Sequence, residues 1–128
     1  MLDGTWRWCD GNEVVLPNDF DNVAIVVDWL DACRSGNLDA LLDLYAGDAS
    51  LESAHEGVAV SGRAQIESYW AARLPALSPR AFALDQIMPV ADGVMLDHSD
   101  AEGRPVRTVF SFDAAGRIAR SRSEPVSP

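Results

Sequence analysis

Val23-Ala-Ile-Val-Val-Asp-Trp29-Leu-Asp-Ala-Cys33-Arg-Ser-Gly36-Asn37-Leu-Asp-Ala-Leu41-Leu-Asp-Leu-Tyr45 is the stretch on which the fold turns. Apolar residues at Val23, Val26, Val27 and Leu30, with Ile25, Trp29 and Cys33 on an adjoining stripe, predict a helix apolar over a wide arc and covered on more than one side. Leu38, Leu41, Leu42 and Tyr45 repeat the i, i+3, i+4, i+7 pattern. Between the two runs, Gly36 suits a helix C′ position and Asn37 an N-cap. The spacing therefore predicts helices over 19–35 and 37–46 that meet at a sharp corner, with Gly47 closing the second.

Downstream, Ala49 and Leu51 alternate with Ser50 and Glu52, which predicts a half-buried strand over 48–54. The period of two puts Ser53 on the inward face, and His55 with it if the strand runs that far. A loop over 56–61 then leads to Gly62 and a third helix marked by Ile66, Tyr69, Trp70, Leu74 and Leu77, ended by the prolines at 75 and 79. From Arg80 onward the signals are all β. Segments 82–90, 93–99, 105–112 and 117–124 read as four strands joined by acid- and glycine-bearing turns, so the sheet is expected to be antiparallel. Helices first and a meander of strands after them is an α+β layer pattern.

Upstream, Thr5-Trp6-Arg7-Trp8-Cys9 is an alternating scrap that fits a short strand or a packing arm, and Pro17-Asn18-Asp19 ends it. Residues 1–18 are thus read as an N-terminal arm and 19–128 as one domain. A chain of 128 residues with 48% apolar content has the size of a single core. Its longest aliphatic run, Val23 to Val27, is far short of a membrane span, and acids at 3, 10, 13 and 19 do not fit a signal peptide, so a soluble, cytoplasmic protein is expected. Cys9 and Cys33 lack CxxC spacing and partnered histidines, so neither a disulfide framework nor a metal site is expected. The formal charge of −10, with no lysine among the ten basic residues, argues against nucleic acid or an anionic membrane as partner. Five arginines (104, 107, 117, 120 and 122) fall in the last quarter, where a solvated sheet face accounts for them.

The order helix, helix, strand, helix, four strands resembles the nuclear transport factor 2-like superfamily, which includes ketosteroid isomerases, SnoaL-type polyketide cyclases and scytalone dehydratase. The resemblance spans about residues 22–124 and rests on 36–50, on Ser61-Gly62-Arg63 and on the closing hairpin Phe112-Asp-Ala-Ala-Gly116-Arg-Ile118. It implies a cone-shaped curved sheet wrapped by the three helices of the N-terminal half and enclosing a pocket. It also implies a homodimer formed through the sheet, whose outward residues are Arg107, Val109, Ser111, Arg120 and Arg122. Fold of this kind does not fix function.

Ketosteroid isomerases use a carboxylate base with an oxyanion hole of a tyrosine and a protonated aspartic acid. Carried over by motif, the base falls on Ser53, the oxyanion tyrosine on Trp29 and the aspartic acid on Thr108; of two supporting tyrosines, one is kept as Tyr45 and the other falls on Trp70. An indole cannot shift a proton and serine alone is no base near neutral pH, so isomerase activity is not expected. The pocket itself should be lined by Trp29, Tyr45, Leu51, Ser53, Trp70, Thr108 and Phe110. Alternation places His98 inward with Val94 and Leu96, and His55 at the rim, so these two histidines are the candidate bases, His98 being the better placed and His55 the one that remains if it fails. In scytalone dehydratase a pocket histidine is oriented by an acid of the first helix, a part for which Asp28 and Asp31 stand available. Two function classes stay open: a cofactor-free isomerase, cyclase or dehydratase acting on a small, mostly apolar molecule by proton abstraction, and a non-catalytic binding or dimerisation module.

Overall fold

A computed structural model describes residues 17–126, with side chains from Asn22. The arm containing Trp6, Trp8 and Cys9 lies outside the described residues. The chain runs α1 (Pro17–Ser35), α2 (Leu38–Asp43), β1 (Tyr45–Ser53), β2 (Val58–Ser61), α3 (Arg63–Arg73), a 3-10 turn (Leu74–Ala76), β3 (Leu84–Val90), β4 (Gly93–Ser99), β5 (Pro105–Phe112) and β6 (Ile118–Pro125).

The corner between the first two helices forms as expected. Gly36 sits at φ +71°, where a Cβ would be strained, and Asn37 Oδ1 accepts the amide of Ala40 at 3.1 Å to cap α2. α2 is shorter than its apolar pattern suggests, because Tyr45 and Ala46 leave the helix to begin β1. Gly47 is consequently not a helix terminator; it lies at the irregular stretch of β1 between Tyr45 and Ser50. The first helix buries Val26, Trp29, Leu30 and Cys33, but Val27 stays 41% exposed. Its broad apolar arc is therefore covered on one side, not on several.

The six strands form one sheet in the order β2-β1-β6-β5-β4-β3. Two features differ from the expected antiparallel five. The segment read as a loop contains β2, a short edge strand paired with β1, and β1 pairs with β6 in parallel while every other pairing is antiparallel. The registers Val94↔Phe110, Leu96↔Thr108 and His98↔Val106 carry one inward face across β4 and β5. Helices α1 and α3 close over that face, and Trp29 becomes the hub of the core, with edge-to-face contacts to Trp70, Phe82, His98 and Phe110 at centroid distances of 5.0–5.8 Å.

On the outer face the arginines meet carboxylates of neighbouring strands. Arg107 grips Asp97 through two bonds of 2.8 and 3.1 Å, and Arg120 reaches Glu52 at 3.2 Å. Asp97 therefore points to the outer face, and Arg107 holds its carboxyl below the usual carboxylate range. No helix among the described residues is long and apolar enough to cross a membrane.

Candidate functional site

Between the inner face of the sheet and α3 lies a cavity of about 230 Å³. Trp29, Trp70, Phe82 and the ring of His98 form an aromatic wall; Ser53 on β1 and Ser121 and Ser123 on β6 set hydroxyls beside it; Leu51 also lines it. Of the residues expected at the pocket, Tyr45, Thr108 and Phe110 do not line it. Trp29 lies against Phe110 at 5.0 Å and donates its indole N–H to the Tyr45 hydroxyl at 3.0 Å, so these side chains are buried core beside the cavity. Burial there pushes the Tyr45 phenol up to about 12. The buried Trp70 N–H has no hydrogen-bond partner among the described residues, a cost on the order of 1–3 kcal/mol.

His98 is inward, as alternation required, and 4% exposed. Both of its nitrogens are engaged: Nδ1 lies 2.6 Å from the carbonyl oxygen of Ser99, and Nε2 lies 2.8 Å from Thr108 Oγ1. A carbonyl only accepts, so Nδ1 carries the hydrogen and Nε2 accepts from threonine. Burial lowers the imidazole pKa and outweighs the raising effect of Ser99, Asp100 and Asp97. Because the unfolded histidine titrates near 6.5 and the folded one lower, stability is complete above that value and falls as pH drops from it toward the folded value. The loss should approach at most about 1.4 kcal/mol per pH unit. Urea unfolding at pH 7 and pH 5.5 is expected to show it, and His98→Gln is expected to shrink the difference; an unchanged difference in the variant would assign it to other groups.

His55 stands just beyond β1, with its side chain 19% exposed. Its Nε2 is 3.4 Å from Asp100 Oδ2, and its Nδ1 is 3.4 Å from Ser53 Oγ. Asp100 is fixed in turn, because Oδ1 accepts the amides of Glu102 and Arg104 at 2.9 Å each. The acid that faces a pocket histidine thus comes from the turn after β4. Asp28 and Asp31 are exposed on α1, and Asp31 lies 3.7 Å from Arg34.

A second polar group at the cavity, not singled out by sequence, joins the turn after β1 to α3. Tyr69 donates to Glu56 at 2.6 Å, Arg73 Nε donates to the same carboxylate at 3.0 Å, and the Arg73 guanidinium lies 3.6 Å from the Tyr69 ring centroid. Burial raises the Glu56 pKa, but these hydrogen bonds outweigh it and the net shift is down; burial and that carboxylate both push the Tyr69 phenol up. Tyr69 and Arg73 are four apart on a helix, which was the available signal, but nothing local tied them to Glu56. Among the described residues no group of three metal-ligating side chains converges.

The sequence of residues 26–121 matches the family model of the SnoaL-like domain. The chain belongs to the SnoaL-like domain family. No curated protein matches it by sequence. Among solved structures, a SnoaL-like protein of unknown function from Burkholderia thailandensis is 22% identical, with a TM-score of 0.73 over 84% of this chain and 96% of that one. A proposed polyketide cyclase from Sinorhizobium meliloti is 28% identical, with a TM-score of 0.66 over 78% and 93% of the two chains. A hypothetical protein with a ketosteroid isomerase-like fold from Catenulispora acidiphila, solved in complex with trimethylamine, is 19% identical, with a TM-score of 0.58 over 77% and 82%.

Proposed function

We propose that this SnoaL-like domain binds a small, mostly apolar carbonyl compound in its cavity and removes a proton beside the carbonyl, with His55 as general base. The observation that carries the reading is the rim imidazole set between Asp100 and Ser53. Asp100 Oδ2, 3.4 Å from Nε2, favours the tautomer with its hydrogen there, which leaves the Nδ1 lone pair facing Ser53; that long 3.4 Å contact is the one a substrate must displace to reach the base. His98, with both nitrogens engaged, is assigned to structure. A cavity of about 230 Å³ lies below the roughly 300–1,000 Å³ of drug-sized sites, so one or two rings fit it better than a steroid skeleton. That a protein of the same fold is known in complex with trimethylamine is in keeping with a small ligand.

The reaction is testable without knowing the natural substrate. Proton abstraction beside a carbonyl exchanges that hydrogen with solvent, so small aromatic ketones incubated with the protein in D2O should gain deuterium faster than in buffer, followed by NMR. Ketones that bind without exchanging would instead support a binding module. Binding itself should alter the intrinsic fluorescence, because Trp29 and Trp70 both line the cavity. Replacing both by phenylalanine should remove the response and leave the circular dichroism intact; a response unaltered in the double variant would place the ligand elsewhere. The outer face of β3 to β6, with Met88 and Val109 exposed beside the arginine pairs, is the surface through which the domain forms a homodimer. Sedimentation at micromolar concentration should give twice the 13.8 kDa chain mass, and a monomer would refute it.

A further inference from the structure

A chain of hydrogen bonds runs from the cavity wall into the sheet, and its direction is fixed at the far end. The Ser99 carbonyl can only accept, so the hydrogen of His98 is on Nδ1. Burial keeps this imidazole neutral at ordinary pH. Nε2 is then a bare acceptor, and its partner at 2.8 Å, Thr108 Oγ1, must donate. Thr108 has one hydrogen and has given it away. The next contact, 2.8 Å between Thr108 Oγ1 and Ser123 Oγ, is therefore donated by Ser123. Ser123 is half-buried and lines the cavity, and with its only hydrogen directed into the sheet it has lone pairs alone to offer a ligand.

We infer that Ser123 is a specificity-determining acceptor, and that the cavity selects ligands carrying a hydroxyl or N–H donor in addition to the carbonyl. Serine usually adapts, donating or accepting as its partner requires. Here Ser99, His98 and Thr108 remove that freedom, and a ligand presenting a bare oxygen or a fluorine to Ser123 leaves a buried acceptor unpaired. The inference rests on the small-molecule reading above and narrows the ligand class within it.

The first measurement needs no ligand. Long-range 1H–15N correlation of the His98 ring should show the Nδ1–H tautomer; the Nε2–H tautomer would reverse the chain and overturn the inference. The second is calorimetric titration with 4-hydroxyacetophenone and 4-fluoroacetophenone, which differ little in shape but only one of which donates. The hydroxyl compound should bind about tenfold more tightly or better. Ser123→Ala should bring the ratio near one, and Thr108→Val, which frees the serine hydrogen to turn outward, should also erase the preference. Equal affinities in the unaltered protein would overturn the inference while leaving small-molecule binding in place. Failure of both compounds and of every ketone in the exchange screen would instead remove the binding reading and this inference with it.

Discussion

Replacing His55 by alanine is expected to lower kcat/KM for any ketone the protein turns over by a factor of about 10² or more, since general-base catalysis contributes roughly 10²–10⁴. The whole effect should lie in kcat, because the imidazole is asked to accept a proton in the transition state and not to hold the ring system, a part the proposal gives to the cavity wall of Trp29, Trp70 and Phe82. Asp100→Asn gives a graded version of the same test. The amide oxygen can still accept from Glu102 and Arg104, so the turn is preserved while the charge facing Nε2 is lost. An intermediate loss is expected. A His55→Ala protein whose kcat is intact and whose KM alone rises would make His55 a ligand-holding residue, and one with unchanged kinetics would end its candidacy.

The largest effect on stability should come from a methyl group. A Cβ added at Gly93 would lie 1.7 Å from the backbone oxygen of Phe110 and 2.9 Å from its carbonyl carbon. No rotamer change relieves a collision with backbone, so β4 or β5 must shift, and the pairs Val94↔Phe110 and Leu96↔Thr108 that carry the inner face would shift with it. Overpacking usually costs about 1–3 kcal/mol, and a clash with backbone belongs at or beyond the upper figure. Gly93→Ala should therefore melt roughly 10 °C or more below the parent in a thermal scan. A melting point within about 2 °C of the parent would show that the hairpin before β4 yields more easily than its contacts imply. Gly47, with nothing near its absent side chain, serves as the control.

Much of this architecture was legible in the residues, and the misses have identifiable causes. Strands 93–99 and 105–112 were readable to the residue because period-two alternation and turn signals agreed there. The end of α2 was not, since Leu38, Leu41, Leu42 and Tyr45 fit a helical face while Tyr45 in fact pairs with Ile118, a tertiary partner some seventy residues away that overrides local periodicity. β2 was missed because Val58 and Val60 are its only large apolar residues. At the site, alternation placed Ser53 and His98 inward correctly but says nothing of hydrogen-bond partners, and those partners separate a structural histidine from a candidate base. Asp100 was visible only as a turn acid. Its meeting with His55 depends on β1 and β4 running the same way, through one parallel and two antiparallel pairings, so that both end at the same side of a curved sheet.

Phe82 holds its backbone at φ +56°, a left-handed conformation that costs a bulky residue on the order of 1–3 kcal/mol. Ser99 keeps it there: its carbonyl accepts from Phe82 N at 3.1 Å, its hydroxyl accepts from Ala83 N at 2.8 Å, and its amide donates to Ala83 O at 3.1 Å. The same Ser99 carbonyl receives the Nδ1 hydrogen of His98, whose ring stacks against Phe82 at 14°. One peptide group thus sets both the aromatic plate that bounds the cavity and the tautomer that orients its hydroxyls. Evolution at this position is therefore doubly tied: a change that moved the 99 carbonyl to reshape the cavity would also alter which atoms of a guest it can accept.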